Sequence, residues 1–133
     1  PAWYLADAVT GNIRGNLKVP IDRVPGTPID VKIVWTVLNA NVGNVFLKIS
    51  YNIVGEGDVF TLAQVAPGFV ASVPAAFKSK TSGPLRIHES RIDGKMPSAD
   101  ICFVIEREGA HALDTYNNNV QILKAVFEYT SYE

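Results

Sequence analysis

The sequence predicts an all-β protein, an antiparallel two-sheet β-sandwich that is jelly-roll-like. Apolar and polar residues alternate in several segments, and this period of two is that of a strand with one buried face. Gly and Pro residues separate the segments at intervals of roughly 10–15 residues, as turns do in sandwiches. Helical periodicity is nearly absent: residues 72–80 could hold one helical turn, but Pro67 and Pro74 prevent a longer helix.

The clearest alternation lies in two neighbouring segments, residues 29–38 and 45–54. Each has one apolar row and one more polar row, so each is expected to bury one face. Residues 39–44, Asn-Ala-Asn-Val-Gly-Asn, are turn formers, and they predict that the two segments pair as a hairpin. Together with two later strands, these rows predict the following core: Ile33, Trp35, Leu47, Ile49, Phe103, Ile105, Leu123 and Phe127.

Five further strands are predicted, over residues 2–6, 58–65, 85–92, 100–108 and 120–129. The segment 85–92 becomes polar towards its end, which suits an edge strand. The segment 100–108 begins apolar on both faces, which is typical of a central strand. In the last segment, alternation places Leu123, Ala125, Phe127 and Tyr129 on one side and Ile122 and Val126 on the other.

Length and composition exclude several classes of protein. The 133 residues predict a single domain, 1–133, large enough to fold without a disulfide or a metal. The net charge of −1, with 12 Lys and Arg residues scattered singly, argues against a nucleic-acid partner. No leader is visible and no apolar run approaches about 18 residues, so neither secretion nor membrane insertion is expected.

Residues that could carry catalysis are not found in a recognisable arrangement. His88, His111 and Cys102 do not have the short spacing of a zinc site, and no nucleophile elbow or phosphate-binding glycine loop is present. The single cysteine, Cys102, lies in an apolar run and is expected to be a small buried hydrophobe in a reducing compartment. The sequence therefore predicts no enzymatic activity, no catalytic residue, no metal and no cofactor.

The most distinctive stretch is the polar segment 106–119 between two apolar strands. Asp114, Asn117 and Asn119 offer oxygen ligands to calcium, although one carboxylate is few for that ion. The favoured alternative is that Asp114 accepts hydrogen bonds from turn amides. Aromatic residues that exceed the needs of the core are the second candidates, because they stack on sugars or partners. The candidate ligand-binding residues are therefore Trp3, Tyr4, Asp114, Tyr116, Asn117 and Asn119.

Strands and turns follow one another in a distinctive order over much of the chain. An alternating strand with Trp (residues 30–35) leads through a Gly-containing turn into a second alternating strand (43–51), followed by Gly-Glu-Gly-Asp at 55–58. A later strand and Arg-x-Gly turn (103–109), then Asp-Thr-Tyr at 114–116, precede the final strand. This order resembles that of small bacteriophage virion proteins over roughly residues 20–130. The resemblance implies a jelly-roll component of a tailed phage particle, found near tail-fibre or head-fibre proteins. It carries over no catalytic residue.

This resemblance implies a non-enzymatic virion structural or adhesion module that is assembled in the host cytoplasm. Its expected partners are other virion proteins and, for adhesion, a host-surface glycan. The alternative function is a carbohydrate-binding module that serves a larger hydrolase, with aromatic side chains stacked on sugar rings.

A symmetric homo-oligomer is expected from the surface. Charged residues make up only 19% of the chain, and the mean hydropathy is +0.12. Aromatic residues lie at both chain ends, in 3–5 and 127–132, where a monomer is usually polar. A trimer is the first choice by analogy with virion jelly rolls, and a dimer is the second. The rival explanation is that these aromatic side chains fold back onto their own sandwich.

Overall fold

The computed structural model describes residues 3–5, 10–58, 64–65 and 68–132. These residues form nine strands and one short helix, α1, at Ser90–Asp93. The strands are Trp3–Leu5 (β1), Thr10–Lys18 (β2), Ile29–Thr36 (β3), Asn44–Gly55 (β4), Gln64–Val65 (β5), Phe69–Ser72 (β6), Lys80–Ile87 (β7), Ala99–Glu108 (β8) and Val120–Tyr129 (β9).

The strands form two antiparallel sheets. The first has the order β1-β9-β3-β7, and the second has the order β2-β8-β4-β5, with β6 also paired to β4. Every pairing between strands is antiparallel. The predicted antiparallel two-sheet sandwich is therefore confirmed.

The pairings are nested along the chain. β1 pairs with β9, β2 with β8, β3 with β7, and β4 with β6. These four pairs lie alternately in the first and the second sheet. The chain therefore follows the path of one long antiparallel hairpin. Successive strand pairs along this hairpin lie alternately in the two sheets.

The core lies between the sheets and contains most of the residues predicted for it. Ile33, Trp35, Leu47, Ile49 and Ile105 are buried, and the alternating burial of β3 and β4 confirms the faces assigned to both strands. The indole N–H of Trp35, which would otherwise be unsatisfied there, donates to Ser82 Oγ at 2.9 Å. Phe103 and Phe127 are half-buried and pack against this core.

Leu123 departs from the prediction because β9 contains an irregularity. Trp35 pairs with Ile122 and Val34 pairs with Lys124, so Leu123 is an extra residue in the ladder. The extra residue reverses the alternation at this point. As a result Ile122 is buried in place of Leu123, while Phe127 faces the core as predicted.

The predicted hairpin between residues 29–38 and 45–54 is wrong. β3 pairs with β7 and β9, β4 pairs with β8, and the Asn-rich residues 37–43 carry the chain from one sheet to the other. Alternation fixes which face of a strand is buried, but it does not identify the strand's partner.

The strand predicted over 85–92 is also partly wrong. β7 ends at Ile87, and residues 90–93 form α1, which buries Ile92. The helix starts where the Ser90 backbone N–H donates to His88 Nδ1 at 3.1 Å, so the chain turns instead of extending. The position of β7 at a sheet edge is confirmed. Within the described ranges, no helix has the length and apolar character needed to cross a bilayer.

The remaining predicted strands differ in extent. β8 and β9 match the predicted segments within one residue, and β8 is central in its sheet as predicted. β1 occupies 3–5 of the predicted 2–6, and β5 occupies only 64–65, while residues 59–63 lie outside the described part. β2 and β6 have no counterpart in the prediction. β2 contains two Gly and two Asn residues, which are rare in strands, and it is held by a nine-residue register with β8.

Candidate functional site: the β8–β9 loop

The β8–β9 loop, residues 109–119, packs against residues 37–44 at one end of the sandwich. The backbone N–H groups of Thr115 and Tyr116 both donate to the carbonyl oxygen of Asn44, at 2.8 and 2.9 Å. In return, the Asn44 N–H donates to Thr115 Oγ1 at 2.9 Å. The loop is therefore hydrogen-bonded to the first residue of β4 along its own backbone.

This close approach depends on Gly43. Its φ of +153° lies outside the range that other residues favour, and a Cβ at this position would be 2.9 Å from Tyr116 Cα. Backbone atoms cannot move aside as a flexible side chain would. Gly43 is thus required both by its own conformation and by the loop that lies against it.

A buried ion pair holds the loop from inside. Arg107 Nε and Nη2 donate to Asp114 Oδ2 and Oδ1, at 2.9 and 2.8 Å, in a two-bond fork. Both side chains are 0% exposed. Two charges removed from water in this way are stable only when they are paired and their other donors and acceptors are satisfied.

The other groups of the pair are satisfied by the loop and by β4. Arg107 also donates to the carbonyl oxygens of Tyr116 and Asn118, each at 2.6 Å. Asp114 Oδ2 additionally accepts from the backbone N–H of Phe46 at 3.0 Å. The guanidinium carbon lies 5.8 Å from the centre of the Tyr116 ring. One arginine therefore fixes three successive parts of the loop.

Arg107 is not among the predicted site residues, although the sequence contains a signal for it. The residue continues the inward-facing row of β8 that contains Ile101, Phe103 and Ile105. A charged side chain in such a row must have a buried partner of opposite charge. Asp114, the carboxylate of the following loop, is that partner.

The predicted oxygen ligands are not brought together as a calcium site. Both oxygens of Asp114 accept hydrogen bonds, from Arg107 and from Phe46 N–H, so a calcium ion would have to displace the guanidinium. Asn117 is exposed and its Oδ1 accepts from Asn41 Nδ2 at 3.3 Å, while Asn119 is exposed immediately before β9. The favoured alternative named turn amides as the donors to Asp114, but the amide that donates is that of Phe46 in β4, and the other donor is Arg107.

The expectation that Tyr116 is an exposed aromatic residue is wrong. Its side chain is buried in the core cluster, and its hydroxyl donates to Asn39 Oδ1 at 2.9 Å. Burial raises the pKa of the Tyr116 hydroxyl. The side chains of the other two candidate aromatic residues, Trp3 and Tyr4, lie outside the described part of the structure.

The outer side of the loop is also packed. The imidazole of His111 stacks on the ring of Phe46 with 3.9 Å between ring centres and 7° between planes. His111 Nδ1 accepts from the backbone N–H of Leu113 at 3.1 Å, which fixes the next turn. Leu113 itself is exposed. The outer surface of the loop is therefore fixed by packing and has an exposed apolar residue at its tip.

Reactive groups are sparse among the residues that the structure describes. No three or more His, Cys, Asp or Glu side chains in those ranges lie close enough to hold a metal ion. Cys102 is half-buried, not fully buried, because it lies on the outer face of its sheet between Asn16 and Asn52. Burial raises the pKa of the Cys102 thiol, which lowers the fraction of reactive thiolate.

A second arginine–aspartate pair lies at the opposite end of the sandwich. Arg23 Nη1 donates to Asp93 Oδ1 at 2.8 Å, and Arg23 Nε donates to the Thr27 carbonyl oxygen at 3.0 Å. Asp93 Oδ2 accepts from the backbone N–H of Gly26 at 3.0 Å. The pair joins α1 to the connection between β2 and β3. The Arg23 guanidinium holds the pKa of Asp93 below its usual value.

Comparisons with known proteins give little likeness. No known family model and no curated protein match the chain. Among solved structures, the chain is similar to those of infectious bursal disease virus, Gx strain and Gt strain, with TM-scores of 0.34 and 0.32 and identities of 10% and 12%. The matches cover 97% and 98% of this chain but only 36% and 38% of the viral chains. A likeness of this size carries no argument about function.

Proposed function

We propose that the chain is a non-enzymatic structural module of a virus particle, and of a bacteriophage particle in particular. The observation that carries the proposal is the nested winding of the strands. Eight of the nine described strands pair in a nested order, β1 to β4 in turn with β9, β8, β7 and β6. This order supports a jelly-roll path, which viral capsid and lectin domains use. The likeness of residues 20–130 to phage virion proteins supports the same role.

Features of the loops support a protein that acts through fixed surfaces. Each end of the sandwich has an arginine with a buried side chain that ties loops from different parts of the chain. Such pairs specify loop conformation without supplying a reactive group. A particle component needs this property, because its contacts repeat in many copies and each copy must present the same surface.

The proposal is tested in the organism or virus that encodes the chain. Particles are banded on a density gradient, washed in high salt and digested for quantitative mass spectrometry. We expect peptides of this chain to band with the major particle proteins at a constant ratio, while a soluble cytoplasmic marker stays at the top. If the chain is abundant in the lysate but remains with the marker, the proposal fails.

The proposal includes the absence of enzymatic activity. A separate experiment tests this absence and the alternative, carbohydrate binding. The purified protein is passed over immobilised polysaccharides, and turnover of the bound glycans is assayed in parallel. We expect neither retention nor turnover. Retention that survives 0.5 M salt, on the order of three times physiological ionic strength, would favour the sugar-binding module instead.

A further inference from the structure

One side of the sandwich, between β2 and β9, is less closed than the rest. The inward-facing Leu17 of β2 is 38% exposed, and Ile13 is half-buried, whereas the inward-facing residues of β4 are buried. A groove of about 350 Å³ runs between the two sheets at this side. We call this surface the open flank; its apolar lining is formed by Ile13, Leu17, Phe103, Leu123, Ala125 and Phe127.

The floor of the open flank is formed by two aromatic rings. Phe103 lies so close to Gly15 that a Cβ at Gly15 would be 2.6 Å from the ring. The Phe103 and Phe127 rings are tilted by 55° with 5.3 Å between centres, a favourable aromatic contact. The flank is therefore an ordered apolar surface, built by residues from both sheets.

Along the flank, β9 has no pairing beyond Ile122 among the described residues. β1 pairs with Val120–Ile122, the residues before Trp3 lie outside the described part, and β3 pairs with the other side of β9 as far as Tyr129. Among the residues that the structure describes, none pairs with 123–129 on the flank side. Such an edge offers N–H and C=O groups to an added strand.

The opposite edge of the same sheet is protected. In β7, Gly83 and Pro84 lie opposite Lys32 at a register shift, and proline has no N–H to donate to a further strand. β9 contains neither proline nor glycine. The two edges of one sheet therefore differ in whether they can accept another strand.

We propose that the open flank is a dimer interface, in which β9 pairs antiparallel with β9 of a second copy about a two-fold axis at Val126. In this register Lys124 lies opposite Glu128 of the partner subunit, and Glu128 lies opposite the partner's Lys124. On the inner face, Ala125 lies opposite the partner's Phe127. Opposite charges and apolar side chains thus meet their complements in a self-complementary, isologous contact.

The charges that this register requires are at the surface. Lys124 is exposed, and the Glu128 side chain is 54% exposed although its Oε1 accepts from Lys32 Nζ at 2.8 Å. Val34, Lys32 and Asp30 lie opposite Lys124, Val126 and Glu128 within the sheet, so the outer face continues with mixed charges. No like charges are placed opposite each other in the proposed ladder.

This contact gives a dimer, the second of the two assemblies expected from the sequence. It also covers the groove, because the first sheet of one copy and the first sheet of the other become one continuous sheet. A three-fold arrangement of the same edge cannot do this. The inference concerns the isolated chain. It therefore stands or fails independently of a role in a virus particle.

The test is a charge exchange measured by size exclusion coupled to light scattering at micromolar concentration. The wild-type protein is expected at twice the chain mass of 14.5 kDa. Lys124→Glu and Glu128→Lys each place like charges opposite each other twice in the dimer, and should raise its dissociation constant at least about tenfold. A mixture of the two variants, or the double variant K124E/E128K, restores opposite charges and should restore the dimer.

Lys78→Glu is the matched control, because it reverses an exposed charge away from the flank and should leave the mass unchanged. Each variant must keep the circular dichroism spectrum of the wild type. Hydrogen exchange gives a second readout, with protection of amides in 123–129 expected to rise with protein concentration. A wild-type protein that is monomeric overturns the inference. So does an oligomer whose mass does not change with either charge reversal and whose amides in 123–129 are not protected.

Discussion

The two ends of the sandwich use the same pair of residue types in different surroundings. At one end Arg107 and Asp114 are both 0% exposed, and the aspartate accepts a fork of two hydrogen bonds. At the other end Arg23 is 1% exposed, but its partner Asp93 is 37% exposed and accepts a single bond from it. In both cases the arginine side chain also binds backbone carbonyl oxygens of nearby turns.

Burial of the carboxylate determines what each pair contributes. Water can replace much of the interaction at Asp93, because part of this side chain is solvated. At Asp114 no water reaches the charge, so removal of either member leaves an uncompensated charge in the core. We expect the Arg107–Asp114 pair to be the less tolerant of substitution, although both pairs hold loops in place.

The largest effect is expected for Asp114→Ala. It leaves the Arg107 charge buried without a partner, and we expect the free energy of unfolding to fall by about 3–5 kcal/mol. Urea denaturation followed by tryptophan fluorescence measures the loss. Glu56→Ala, which removes an exposed carboxylate, is the control and should change stability by less than about 0.5 kcal/mol. A loss at Asp114 as small as at Glu56 would contradict the role of the pair.

A smaller effect is expected for Asp93→Asn. The amide oxygen can still accept from Arg23 or from Gly26 N–H, and solvent reaches the site, so we expect a loss of roughly 1–2 kcal/mol. Thermal unfolding at neutral pH should show a decrease of about 3–5 °C per kcal/mol for a chain of this size. If Asp93→Asn is as damaging as Asp114→Ala, exposure does not explain the difference between the two ends.

The Tyr116→Phe variant tests whether the ion pair or the Tyr116 hydroxyl fixes the β8–β9 loop. It removes only the hydrogen bond to Asn39 Oδ1, which also accepts from the Asn41 N–H, and should cost about 0.5–1 kcal/mol. The backbone bonds from Arg107 to the loop remain. Amide exchange in 109–119 should stay slow in this variant and become fast in Asp114→Ala, and equal exchange in both would show that the ion pair does not fix the loop.

The smallest effect is a change in the response to acid. Arg23, Lys95 and Arg86 lower the pKa values of Asp93, Asp58 and Asp30, respectively, from 3.8. A carboxyl group whose pKa is lower in the folded state stabilises the protein at pH values above its pKa in the unfolded chain. This contribution disappears as the pH falls through the lower, folded-state pKa. Melting temperature should therefore decline below about pH 4. The melting temperature of the Asp93→Asn variant should decline less steeply than that of the wild type over the same pH range. Identical slopes would contradict the lowering of the Asp93 pKa by Arg23.

Local patterns determined the class of fold and most of the inward-facing rows. The alternation in β3, β4 and β8 predicted the buried faces of Trp35 and Leu47, because a strand that buries one face requires an apolar residue at every second position. The turn formers between β3 and β4 were also identified correctly as a connection.

Tertiary structure alone decided which strands pair, where β9 changes phase and which charges are buried. The β3–β4 connection crosses between sheets, and β3 then pairs with β7 and β9 while β4 pairs with β8. The extra residue at Leu123 moves Ile122 into the core, and no property of Leu123 itself signals this. Arg107 and Asp114 meet because a loop folds back over the end of the sandwich. Such contacts depend on where distant segments lie, and alternation along one segment contains no information about that.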